Sequence, residues 1–83
     1  MKFPLYSQVA FAVDLPADGI RCGDVATIVD YHAAPTPGGE PGCSVEVFNA
    51  LGETLAVVTL PESKLEALRS DEVLAVRPRT TAA

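Results

Sequence analysis

Apolar residues alternate with small or polar ones along the first half of the chain, and a period of two predicts β-strands. In the segment 8–14, Val9, Phe11 and Val13 fall on one face. The other segments that we interpret as strands are residues 25–31, 43–48 and 54–60. The last of these is apolar on both faces, so we expect it at the centre of the sheet.

Turn-forming residues separate these segments. Residues 33–42 contain three of the seven prolines and three of the six glycines, which predicts a hairpin loop. Residues 49–53 predict a second hairpin connection, a type I turn completed by Gly52 in the left-handed region. Pro61 ends the segment before it, and residues 62–68 fit either a short helix or a single 3₁₀ turn that leads into a fifth strand.

This pattern indicates an all-β domain, a small antiparallel barrel of about five strands with a short 3₁₀ or helical turn near residues 61–65. The 83 residues suffice for one domain, which we assign to residues 1–70. Residues 71–83 form a tail, interpreted as an extra strand or an interface segment, and we expect it to fray from Arg77 onward. No apolar run reaches the roughly 20 residues of a membrane span, and no signal peptide is apparent, so a cytoplasmic location is expected.

Negative charge is concentrated in the predicted barrel. Nine acidic side chains and only two basic ones, Arg21 and Lys64, lie between Phe3 and Leu68, which gives −7 there against −5 for the whole chain. Nucleic acids are bound by clustered lysine and arginine, so this balance argues against a nucleic-acid partner.

Chemistry-bearing side chains are few. His32 with Cys22 or Cys43 is the only set that resembles a nucleophile and its base, and a hairpin at residues 33–42 would bring Cys43 near His32. No oxyanion-hole motif accompanies them, and the chain has little room for a pocket. We therefore expect no enzyme activity, no cofactor and no metal site. The two cysteines either remain free thiols or form one disulfide.

Two blocks carry a resemblance to a known family. They read Leu-Pro…Gly-Ile…Gly-Asp-Val…Thr-Ile-Val within residues 15–29 and Gly-x-Thr-x-Ala-Val-Val-Thr-Leu at residues 52–60. Over residues 7–68 the chain resembles a family of small bacterial domains of unknown function, numbered 4926. The resemblance implies an SH3-like barrel. It also implies an association with toxin–antitoxin gene pairs, without assigning a role to any residue.

Two functions fit these observations. The first is a protein-interaction module whose acidic outer face binds a basic protein, as an antitoxin or immunity protein would. Asp30, Glu46 and Glu53 are the residues predicted to bind that partner. The second is a structural or assembly module that forms homo-oligomers, through the strand at 54–60 or the apolar segment 73–76.

Overall fold

The structure, a computed structural model, describes residues 2–80. Its five strands are β1 (Gln8–Phe11), β2 (Val25–His32), β3 (Gly42–Phe48), β4 (Thr54–Pro61) and β5 (Leu65–Ala67). The helical elements of this part of the chain are two 3₁₀ turns, Pro16–Asp18 and Glu62–Lys64. The all-β class and the five strands are confirmed. Of the two alternatives for residues 62–68, the structure has the 3₁₀ turn that leads into a fifth strand.

The strands make one antiparallel sheet in the order β4-β3-β2-β1-β5. β2, β3 and β4 follow one another as hairpins, and the turn Glu62–Lys64 then carries the chain back to β1, where Leu65 pairs with Phe11. The expected central position of segment 54–60 is therefore wrong, because β4 is an edge strand. After β4 the chain crosses to the opposite edge, and up to residue 80 no later strand pairs with the free side of β4.

The core contains side chains from all five strands. Its buried residues are Phe3, Val9, Phe11, Ile20, Ala26, Ile28, Cys43, Val45, Val47, Leu60 and Leu65. Within residues 2–80 no long helix or second sheet covers the inner face, and only the turn Glu62–Lys64 separates the two edge strands β4 and β5, so the two edges must lie close together. The sheet is therefore strongly curled, and the closed SH3-like barrel stays a prediction.

A bulge in β2 decides which side chains reach the outer face. Ile28 pairs with Val45, but Asp30 pairs with Ser44, so Val29 is an extra residue. Because a bulge shifts the alternation by one residue, Asp30 lies on the face opposite Ile28. Unbroken alternation through residues 25–31 would place both on the same side, and the bulge breaks that alternation.

The two predicted hairpin connections are present. β2 and β3 pair across residues 33–41, and β3 and β4 pair across the turn at 49–53. In that turn Gly52 has a φ of +85°, and the Asn49 N–H donates to the Glu53 carbonyl at 2.8 Å. β1 is shorter than expected, because after Phe11 the chain bends and Ala12 donates to the Lys64 carbonyl. Within residues 2–80 no helix has the length and apolar character required to span a membrane.

Candidate functional site

The three acidic residues singled out by sequence lie on β2, on β3 and in the turn that follows β3; we call Asp30, Glu46 and Glu53 the acidic face. Asp30 is exposed, and Glu46 is half-buried between its cross-strand partners Thr27 and Val57. The bulge in β2 places Asp30 and Glu46 on the same outer face of the sheet, diagonal to each other across the β2–β3 pair.

Local hydrogen bonds hold two of these carboxylates near the β3–β4 turn. Thr54 Oγ1 donates to Glu46 Oε2 at 2.5 Å, and Asn49 Nδ2 donates to Glu53 Oε1 at 2.8 Å. These donors are neutral, so each carboxylate is oriented while its charge stays uncompensated. Such side chains lose less conformational freedom when a cation binds them.

Within residues 2–80 no salt bridge involves a carboxylate of the acidic face. The ion pairs within residues 2–80 are Arg69–Asp71 and Arg77–Asp24. Residues 22–63, which contain β2, β3 and β4, hold six acidic side chains and no lysine or arginine. Among residues 2–80, Asp30, Glu46 and Glu53 therefore carry negative charge that no salt bridge compensates.

A chain of three polar side chains crosses the same outer face, and it was not anticipated from the sequence. His32 Nε2 lies 2.8 Å from Ser44 Oγ, which lies 2.7 Å from Thr59 Oγ1. His32 and Thr59 are exposed, but Ser44 is only 8% exposed because its two partners cover it. The Ser44 hydroxyl is thus shared between β2 and β4, and this links three strands through their side chains. The one available signal was the outward position of all three residues on neighbouring strands.

The structure separates the residues of the conceivable Cys–His pair. Cys43 is fully buried in the core, whereas His32 lies on the outer face and contacts Ser44. Burial raises the pKa of the Cys43 thiol, and the nearby Glu62 raises it further, so this thiol is a poor nucleophile. Cys22 is exposed, and both cysteines are free, so the alternative of a disulfide is wrong. Within residues 2–80 no group of three or more histidine, cysteine or acidic side chains has the arrangement of a metal site.

Residues 69–80 follow β5 as a segment without strand or helix, which begins with a turn at Ser70 and Asp71; we call it the C-terminal strap. Its apolar side chains are largely exposed, with Val73 at 90%, Leu74 at 65% and Val76 at 89%. A cavity of about 690 Å³ is lined both by strap residues and by residues of β1 and β2, including Ala10 and Val25. Apolar packing therefore contributes little to holding the strap on the sheet.

Two arginines attach the strap to the segment between β1 and β2. Arg77 donates from Nε to Asp24 Oδ1 at 3.0 Å, from Nη2 to Asp24 Oδ2, and from Nη2 to the Gly19 carbonyl at 3.0 Å. Arg79 donates to the Asp18 carbonyl at 2.8 and 3.1 Å. The expected fraying is wrong for these two residues, and residues 81–83 lie outside the described part of the chain.

The pKa of Asp24 reflects this contact. Partial burial raises the pKa of Asp24, but hydrogen bonds from Arg77 and from the Arg21 N–H, together with the charge of both arginines, outweigh it. The net effect holds the pKa of Asp24 below its ordinary value of 3.8. The same hydrogen bond raises the pKa of Arg77. Asp24 is therefore ionised, and its charge is matched, at neutral pH.

One comparison with known proteins gives a match. A family model described as a domain of unknown function (DUF4926) matches residues 5–67. No curated protein and no solved structure shows a significant match to the chain. The match contains all five strands and the acidic face, and it ends before the C-terminal strap begins.

Proposed function

Because the chain belongs to the DUF4926 family, whose description assigns no activity, we propose a function from its surface: a protein-interaction domain that binds a basic protein through the acidic face. The proposed role is that of an antitoxin or immunity protein, which covers a cationic site on its partner. The proposal places this pair in the bacterial cytoplasm and includes no catalytic step.

The observation that supports the proposal is the uncompensated charge of Asp30, Glu46 and Glu53. A monomeric surface usually mixes both signs of charge, whereas here no lysine or arginine occurs between Arg21 and Lys64. A field of one sign attracts an oppositely charged partner and raises the association rate by about 10- to 1,000-fold. It also repels competing partners of the same sign, which gives specificity.

A second function, self-assembly, is supported by a different observation. Val57 is 60% exposed on β4, and the strap exposes Val73 and Val76 to a larger extent. Exposed apolar side chains of this kind can mark contacts between copies. This alternative predicts an interface that tolerates high salt, since apolar contacts are not screened.

The test begins with capture of a tagged copy from the native host at low salt, followed by identification and purification of the bound protein. Binding is then measured by calorimetry for the wild type, for the double variant Asp30→Asn/Glu46→Gln and for the control Asp18→Asn/Glu66→Gln. Both double variants remove the same charge, but the control residues lie in the turn before β2 and on β5.

The proposal expects a basic partner, binding about tenfold weaker in the acidic-face variant, and near-normal binding in the control. Raising the salt from about 0.05 M to about 0.5 M should also weaken the complex. Equal losses in both variants would contradict the role of the acidic face. Recovery of the protein's own copies alone would support self-assembly instead.

A further inference from the structure

β4 has the composition of a central strand but occupies an edge. It is eight residues long, and no charged residue occurs from Thr54 to Pro61. Edge strands in monomers are usually protected by lysine, by inward charges, by proline or by shortness. Here the sheet irregularity opposite Val47 and Phe48 affects only the start of β4, and Pro61 protects only its end. The middle of the strand therefore has no such protection.

The ladder between β3 and β4 shows which backbone groups are free. The Glu62 N–H donates to the Pro41 carbonyl at 3.0 Å, which identifies that pair as a hydrogen-bonded one. Because such pairs alternate along an antiparallel ladder, Leu60 and Val58 direct their backbone groups toward β3. Val57 and Thr59 then direct their N–H and C=O groups away from the sheet. Among residues 2–80 no strand pairs with that side of β4.

We propose that this edge binds an extended strand of the basic partner, which adds to the sheet beside β4. The inference rests on the proposed function and specifies how the partner is held. Main-chain hydrogen bonds to Val57 and Thr59 would supply much of the affinity, and the flanking side chains would supply specificity.

The charges around the edge select the occupant. Glu53 precedes β4, Glu62 follows it, and Glu46 is the cross-strand neighbour of Val57. In an antiparallel pair of two copies, Glu53 of each would lie near Glu62 of the other. In a parallel pair, each glutamate would lie near its own equivalent. Both arrangements bring negatively charged carboxylates close together, which is unfavourable. A partner strand with lysine or arginine at its ends and apolar residues at its centre matches the edge instead.

Hydrogen exchange measured by NMR tests the proposal directly. The probe is a peptide of about ten residues in which threonine and valine alternate between terminal lysines. One control peptide has glutamate in place of every lysine. A second control keeps the sequence and charge of the probe but is N-methylated at every central residue, so that it cannot pair as a strand.

In the free protein, the Val57 and Thr59 amides should exchange at least about tenfold faster than those of Val58 and Leu60. Saturation with the basic peptide should slow the two edge amides by at least about tenfold, and neither control peptide should do so. Glu53→Gln/Glu62→Gln should weaken binding of the basic peptide, whereas the matched control Asp18→Asn/Glu66→Gln should not. These results support strand addition.

Other results overturn it. The Val57 and Thr59 amides could already be protected in the free protein, to a degree that rises with protein concentration. That result would show that a second copy of the protein, and not the basic partner, pairs with this edge. Equal protection by the basic peptide and its N-methylated form would exclude main-chain pairing. Binding of the basic peptide at the acidic face with unchanged exchange at Val57 and Thr59 would refute strand addition but leave the proposed function standing. Absence of protection with every peptide would also refute it.

Discussion

Substitution of Asp24 by asparagine should release the C-terminal strap without unfolding the sheet. The Asp24 carboxylate accepts two hydrogen bonds from Arg77 and one from the Arg21 N–H. Asparagine has nearly the same shape and retains one acceptor oxygen, so the contact with Arg21 can persist. What the variant loses is the charge and one acceptor for Arg77.

The expected magnitude follows from the burial of the contact. Loss of a hydrogen bond that involves a charged group costs about 1.5–3 kcal/mol when it is enclosed. The Asp24 side chain is 24% exposed, so solvent screens part of this value, and asparagine still offers a neutral acceptor. We therefore expect the free energy of strap opening to fall by about 1 kcal/mol, which corresponds to about a fivefold larger open population.

Limited digestion with trypsin measures this opening. Trypsin can cleave after Arg79, whereas Pro78 protects the bond that follows Arg77. When opening and closing are fast, the cleavage rate follows the open population, so Asp24→Asn should be cleaved about fivefold faster. Asp18→Asn is the matched control, because Arg79 contacts only the main-chain carbonyl of Asp18.

Two results would refute this reasoning. Equal cleavage rates in the wild type and Asp24→Asn would show that the ion pair does not hold the strap. A loss of several kcal/mol in the free energy of global unfolding, measured in urea, would show that Asp24 stabilises the sheet and not the strap alone.

Three further predictions concern the charge of Asp24, the exposure of the two cysteines and the burial of two valines. The pKa of Asp24 is lower in the folded protein than its ordinary value of 3.8, so the ion pair should hold the strap fully above pH 3.8. The strap should be released as the pH falls through the pKa that Asp24 has in the folded protein, and NMR signals of the strap would report this release. A thiol reagent should label exposed Cys22 in the native protein and buried Cys43 only after unfolding; equal labelling rates would contradict the burial. Val45→Ala, at a fully buried position, should lower the free energy of unfolding by about 2–3 kcal/mol, whereas Val57→Ala at the exposed edge should lower it by about 1 kcal/mol or less. Unfolding in urea measures both values. Similar losses of stability in the two variants would contradict the assignment of Val45 to the core and Val57 to the surface.

Local sequence patterns predicted the elements of this fold because their causes are local. Alternation placed Val9 and Phe11 inward, and the turn chemistry at Gly52 gave the hairpin. The position of β4 was not predictable in the same way, because its place in the sheet depends on β5 pairing with the distant strand β1 and not with β4. The bulge at Val29 was not predictable either, because nothing in a run of β-branched residues indicates which of them is left unpaired in the sheet.

Contacts between distant residues of the candidate site were also beyond sequence reasoning. The hydrogen bonds of Ser44 with His32 and Thr59 depend on the register of two hairpins. The contact of Arg77 with Asp24 joins residues 53 positions apart. The acidic face was recognisable because it depends on charge and on strand alternation, although the outward position of Asp30 depended on the bulge.

The pairing of β1 with β5 has a consequence for how the protein is made. Val9 pairs with Ala67, and Phe11 pairs with Leu65, so the two strands meet only when almost all of the folded domain has been synthesised. Contacts that close such long loops form late, whereas the hairpins β2–β3 and β3–β4 are local. We therefore expect the three consecutive strands β2, β3 and β4 to pair first during synthesis. Until β5 emerges, β1 presents a second open edge, and a nascent chain halted before Leu65 would be prone to aggregation.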